Sequence, residues 1–259
     1  MSEIAVTPLG PNNRWRLDWL LPTLLQPRRT FARIAEAEIA VWQLPVAILA
    51  LTGLIRTLVA GGIKGAAAAM GQLQLPPGWE YYTPEQQAQF QQAMSATSGP
   101  VFTYLLPAVM TILGVYLGWL LLGWVLHLLL TLFGGRGSSQ QTLNVTAWAL
   151  LPVAIRDLIR ILAMWTSGQF LTMPGLSGFA PLGEGTGPVV LASLLALVDI
   201  YIIWQIVLLA LGSGLVANLP RWKTWSAVGL AMLLALALRA APAVLAFQFS
   251  DLTVIRPFY

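Results

Sequence analysis

VFTYLLPAVMTILGVYLGWLLLGWVLHLLLTLF, residues 101–133, decides the fold. The stretch is too long and too apolar for a soluble core. At about 1.5 Å of helical rise per residue it exceeds the roughly 30 Å of a bilayer's hydrocarbon, so it must tilt or overshoot. Four shorter stretches accompany it, Trp42–Ala60, Leu143–Trp165, Val189–Leu211 and Trp225–Phe249, each able to cross as a plain helix. Only 9% of the 259 residues are charged and 57% are hydrophobic, with a mean hydropathy of +0.73, so a water-soluble coat cannot be built. With the bilayer as solvent every backbone polar group must be bonded inside the protein, and runs without strand-like alternation mean helices and not a barrel. The expected fold is all-α: one polytopic transmembrane helical bundle of five spans, without a separate soluble domain.

Basic residues orient it. Arg14, Arg16, Arg28, Arg29 and Arg33 precede the first span, Arg136 follows the second, and Arg221 and Lys223 follow the fourth; the other side offers Lys64 and Arg256. The positive-inside rule places the N-terminus in the cytoplasm, and five spans then leave the C-terminus outside. Trp42, Trp119, Trp124, Trp222 and Trp225 lie near span ends, where several can anchor at the interface. The start, MSEIAVTPLGPNNRWRLDW, has no basic segment followed by an unbroken apolar one, so no cleaved signal peptide is expected. The absence of cysteine removes disulfides, thiolate metal sites and cysteine nucleophiles. The net charge of +4 forms no contiguous stripe, which argues against nucleic acid.

The segments read as a cytosolic N-terminal piece (1–26), an interfacial amphipathic helix (27–41), a five-span membrane domain (42–249) and an external tail (250–259). In PRRTFARIAEAEIAV, residues 27–41, Phe31, Ile34, Ala35 and Ile39 fall on or near one helical face, the pattern of a helix lying on a membrane surface or resting on the bundle. In the first outer loop Thr83, Pro84 and Gln86 make a capping box, predicting a short helix near 84–94. The second, TSGQFLTMPGLSGFAPLGEGTGP, is rich in Gly and Pro yet apolar, and suits a loop folded back onto the bundle or bilayer. The turn Gly134, Gly135, Arg136, Gly137 before Ser138 and Gln141 lacks the preceding strand and the Lys-Ser or Lys-Thr pair of a phosphate loop. It reads as a helix end followed by a second capping box.

Charge within the spans is the main candidate for function. Measured from span ends, Arg56, Arg156 and Arg239 lie about 20 Å up and Asp199 about 15 Å down, which brings them to one depth. Asp157 and Arg160, three residues apart, can pair within the third helix, leaving Arg56, Arg156 and Arg239 to compete for Asp199. A charge at the bilayer centre costs about 2.5–3.5 kcal/mol, so something offsets these. One reading is a structural ion-pair network. The other uses the two cations in excess to bind a lipid phosphate, an anionic ligand or an acidic residue of a partner helix. Gly114 and Gly118 form a GxxxG step for close helix packing, within the chain or in a dimer. His127 is the single histidine and binds no metal tightly alone. Pro107 and Pro152 are expected to kink helices, and a third span broken near Pro152 would resemble the interrupted helices of transporters.

The order of QPRRTFARI before span one, GGRGSSQQTLNVTAWALLP between spans two and three, and five spans in all resembles the Yip domain family, the Ypt/Rab-interacting integral membrane proteins and their bacterial relatives. The resemblance covers about residues 24–249. Its most telling piece is Gly134–Gly137, Gln141 and the AWALLP run ending at Pro152. It implies five spans, a cytosolic N-terminus, no enzymatic activity, and an adaptor or membrane-organising role. A bacterial member in the cytoplasmic (inner) membrane is expected, with an exporter or similar integral membrane complex and membrane lipids as partners. No cofactor or metal is expected. Nothing supplies paired carboxylates, a nucleophile with its base, or a cofactor loop. Transport, or lipid or anion binding, is the alternative.

Overall fold

The computed structural model describes residues 14–37, 39–69, 79–97, 99–169, 175–176, 179 and 186–250, and among them every regular element is helical. A 3-10 turn, Leu17–Trp19, runs into α1 (Leu20–Leu25). Then come α2 (Pro27–Glu36), α3 (Gln43–Ala69), α4 (Pro84–Thr97), α5 (Leu106–Leu132), α6 (Ser139–Ala149), α7 (Leu151–Ser167), α8 (Thr186–Leu197), α9 (Ile200–Ala217) and α10 (Arg221–Ser250). Among these residues four segments are long and apolar enough to cross a membrane: Gln43–Ala67, Val101–Leu132, Ile200–Ala217 and Arg221–Pro242. The chain is therefore an all-helical, multi-pass membrane protein.

Two expected spans are interrupted. The third divides at Leu150, between α6 and α7. Pro152, second residue of α7, has no N–H to donate to a preceding turn and its ring excludes the carbonyl four residues back, so α6 cannot continue through it. The fourth divides at Val198 and Asp199, between α8 and α9. Asp199 is extended (φ −147°, ψ 176°) and caps α9, its Oδ1 accepting from the N–H groups of Tyr201 and Ile202 at 3.0 Å each. The carbonyls ending α8 are met from the loop between α7 and α8: Leu176 N–H donates to Leu195 O and Val198 O, at 2.9 and 3.1 Å. Gly175 (φ +62°) has no room for a side chain, because a Cβ would lie 2.7 Å from the carbonyl oxygens of Ala196 and Val198. That part of the loop is folded back as its composition predicts.

The chain forms two compact units, residues 1–49, 117–156 and 172–259 in one and 50–116 and 157–171 in the other. In the first, α6 packs against α2 and α9, and α2 also packs against α9. Phe31 and Ile34 of α2, Val145 and Trp148 of α6 and Leu209 of α9 have no exposed surface. Gly212 is what lets the three helices meet: a Cβ there would lie 2.5 Å from Val145 Cγ1 and 2.7 Å from Phe31 Cδ1. Leu143 reaches α5 over Gly123 in the same manner.

Residues 37–42, between α2 and α3, are not helical where described, so their backbone needs other partners. One face of α6 supplies them. Asn144 Nδ2 donates to Ile39 O at 2.9 Å and Trp148 Nε1 to Val41 O at 3.0 Å, while Gln141 Nε2 donates at 2.6 Å to Ala35 O in the last turn of α2. Asn144 Oδ1 accepts from Val41 N–H at 3.0 Å. Positions 141, 144 and 148 are spaced three and four apart, which aligns them along a helix. Ser138 and Gln141 form the expected capping box at the start of α6.

In the second unit the capping box of Thr83 and Gln86 opens α4 as read from sequence. Thr57 and Thr111 share a hydrogen bond at 2.8 Å, and Gly61 admits the backbone and ring of Thr103 and Tyr104, the carbonyl oxygen of Thr103 lying 2.8 Å from where a Cβ would be.

Asn144→Leu keeps the volume but leaves Val41 N–H and Ile39 C=O without their partner; the expected cost is about 1–3 kcal/mol for each orphaned group, read by thermal denaturation in detergent. Gly212→Ala, which forces Val145 and Phe31 apart, should cost about 1–3 kcal/mol in the same assay.

Candidate functional site

Asp157 and Asp199 each lie beside an arginine. In the second unit Arg56 Nε on α3 lies 3.5 Å from Asp157 Oδ1 on α7, with side chains 35% and 6% exposed. In the first, Arg156 Nη1 on α7 lies 3.5 Å from Asp199 Oδ2, both side chains 13% exposed. Of the three arginines read as competing for Asp199, Arg156 takes it, while Arg56 pairs with Asp157. Arg156–Asp199 is one of the three pairings left open by depth along the helices, and Asp199 stands at a break between them. One carboxylate oxygen there caps α9 and the other faces a guanidinium, so the charge is satisfied on both sides. Arg160 is half-buried on α7, and Arg239 is exposed on α10 with Nη2 3.7 Å from where a Cβ on Gly118 would lie.

The two glycines of the GxxxG step differ. A Cβ on Gly118 would meet Arg239 Nη2 at an ordinary contact distance of 3.7 Å, whereas one on Gly114 would meet nothing within 4 Å. Among the tryptophans, Trp119 is not an interfacial anchor: it is 3% exposed, its ring centroid lies 4.5 Å from that of Trp42, and its Nε1 donates to Leu143 O. Trp124, Trp222 and Trp225 are 47–64% exposed and fit the anchoring role. His127 Nδ1 lies 3.4 Å from Thr142 Oγ1, as a packed side chain would.

The glycine turn is a packing junction. A Cβ on Gly137 would lie 2.3 Å from Val216 Cγ1 and 2.8 Å from Val216 O, and one on Gly135 would lie 2.9 Å from Leu130 O and from Ala217 Cβ. Arg136 N–H donates to Ala217 O at 3.4 Å and Lys223 Nζ to Phe133 O at 3.0 Å, so the turn is held against the α9–α10 turn. Asn218 makes that second turn in the left-handed region (φ 51°), which asparagine tolerates better than most residues. The guanidinium-bearing residues Arg136 and Arg221 stay exposed. Sequence reading singled out Gly134–Gly137 and Gln141 but missed Asn144 and Trp148, whose shared face with Gln141 was the available signal.

Broken apolar helices around a short polar helix, with a glycine turn before it, define a polytopic helical membrane protein. The Yip1 domain profile matches residues 22–241, and the chain belongs to that family. An uncharacterized protein of the archaeon Methanocaldococcus jannaschii is 32% identical over 73 residues, 28% of this chain and 48% of the relative, so the match spans about half of that protein's length. This likeness does not mark the chain as bacterial. No solved structure matches it.

Asparagine is as good a helix cap as aspartate, so Asp199→Asn should keep the start of α9 and lose only the charge pairing, whereas Asp199→Ala loses both. The alanine variant is expected to be less stable than the asparagine variant by about 0.5–2 kcal/mol in a denaturation series.

Proposed function

We propose that the chain is a non-enzymatic accessory or adaptor subunit of a larger membrane complex, residing in a cytoplasmic membrane. The observation carrying this reading is how its polar groups are used. Gln141, Asn144 and Trp148 hold the chain between α2 and α3, Asp199 caps a helix, and Asp199 and Asp157 each face an arginine. These tasks are architectural, and they leave binding to the outer surfaces. Family membership supports a membrane accessory role. Only 11% of the most apolar window of Val101–Leu132 is buried within the chain, a surface that lipid or a neighbouring helix covers. We further propose five crossings with the N-terminus cytoplasmic, α6 with α7 and α8 with α9 each serving as one interrupted crossing.

Transport is the second reading, favoured by the break between α8 and α9 beside a buried ion pair, since transporters bind substrates at interrupted helices. The two readings separate in one preparation. The tagged protein is purified from its native membrane in mild detergent and every co-purifying protein and lipid is identified by mass spectrometry. A stoichiometric integral membrane partner, lost in Arg239→Gln without a change in melting temperature, is the expected result. Recovery of the chain alone, with solute flux in proteoliposomes, would replace the adaptor reading with transport.

A further inference from the structure

The apolar face of α2 is not available to lipid, since Phe31 and Ile34 are fully buried and α2 packs against α6 and α9. The preceding segment is the opposite case. Leu17, Leu21 and Leu25 are 68%, 65% and 71% exposed and recur every four residues, so they form one stripe along the 3-10 turn and α1. Trp15, just ahead of the 3-10 turn, is 56% exposed. Trp19 and Thr23, two positions out of phase and so on the opposite face, are 1% and 0% exposed. Trp19 is fixed by Trp148, ring centroids 5.7 Å apart, and Thr23 Oγ1 donates to Trp19 O at 2.6 Å. The stripe is therefore turned outward by packing on its reverse side.

Charge decides what covers it. Arg14 at one end and Arg28 and Arg29 at the other are exposed. The sole acid between residues 14 and 35, Asp18, is held by Arg16 at 2.8 Å. Arg16 is itself buried and also stacks over Trp19 at 4.6 Å, so it takes no part in the outer surface. Three leucines and a tryptophan between exposed arginines match the boundary of acyl chains and anionic headgroups: the apolar side chains enter and the guanidiniums meet phosphate. A protein partner matching both features would need an apolar groove rimmed with acids, whereas a bilayer is already implied by the apolar segment beginning at Gln43.

We propose that Leu17, Leu21 and Leu25 seat the start of the chain in the adjoining leaflet, with Arg14, Arg28 and Arg29 selecting anionic lipid. The segment then anchors α2, and through it α6, to the membrane surface. The inference is independent of the adaptor reading.

The cysteine-free chain permits a direct test. Single variants Leu21→Cys and Leu25→Cys carry a nitroxide in the full-length protein, reconstituted in phosphatidylcholine vesicles with or without phosphatidylglycerol. Leu128→Cys on the apolar α5 surface and Ser139→Cys at the exposed start of α6 serve as lipid and water references. The readout is collision with oxygen relative to a water-soluble nickel chelate. Both labels should match Leu128→Cys in anionic vesicles and shift toward Ser139→Cys in neutral ones. Adding Arg28→Gln and Arg29→Gln should shift them likewise, by about fivefold in the seated population per arginine. Nickel access equal to that of Ser139→Cys in both vesicles would overturn the proposal. So would low access to both reagents, which would mean that protein covers the stripe. Oxygen access independent of phosphatidylglycerol and of both arginines would overturn the lipid selectivity. All labelled positions are exposed, and unchanged melting of each variant verifies the fold.

Discussion

Unsatisfied backbone in a medium that cannot hydrogen-bond is the constraint on which this structure depends. A continuous helix satisfies its own amides, but this chain leaves helical geometry between α2 and α3 and between α8 and α9, where buried backbone must find partners elsewhere. At the end of α2 and between α2 and α3 the partners are side chains, Gln141, Asn144 and Trp148 of α6. At the break before α9 they are Asp199 for the free N–H groups and the Leu176 amide for the free carbonyls. Both solutions use polar groups that composition alone would assign to function.

The short helix α6 owes its central place to that constraint. Its sequence, SQQTLNVTAWA, is too polar to face lipid along its length, and its polar side chains are drawn to the backbone that needs them. The same helix places Val145 over Gly212, so hydrogen bonding and close packing reinforce one another where α2, α6 and α9 meet. The glycine turn before α6 fits the same logic. Gly135 and Gly137 are small because the α9–α10 turn occupies the space beside them. The motif that most resembles the Yip family is thus the one that organises the first unit, and its chemistry is accounted for without a ligand.

Much of the fold is legible in the sequence, for reasons of scale. Stretches such as 101–133 are read from average hydropathy, and both capping boxes from a local pattern with a local mechanism. Breaks inside an apolar stretch are less visible, because one Pro or Asp hardly changes an average over a whole span. Asp199 is that case in this chain, whereas the break at Leu150 is signalled by Pro152 beside it. The ion pairs come out as Arg56 with Asp157 and Arg156 with Asp199, the second being one of the three pairings that depth along the spans leaves open. Trp119 meets a similar limit, since nearness to a span end says nothing about which way a ring faces. Asn144 and Trp148 are legible in principle through their spacing from Gln141, but only once the link between α2 and α3 is known to lack backbone partners.

The most direct measurement is amide hydrogen exchange at Val41, a non-helical position whose protection can come from the Asn144 side chain and not from a helix. Exchange there should be as slow as at the interior amides of α6, and replacing Asn144 by alanine should accelerate Val41 alone among them. Exchange at the rate of an unstructured peptide in the intact protein, with α6 still protected, would contradict the claim that side chains of α6 stand in for the missing helical partners.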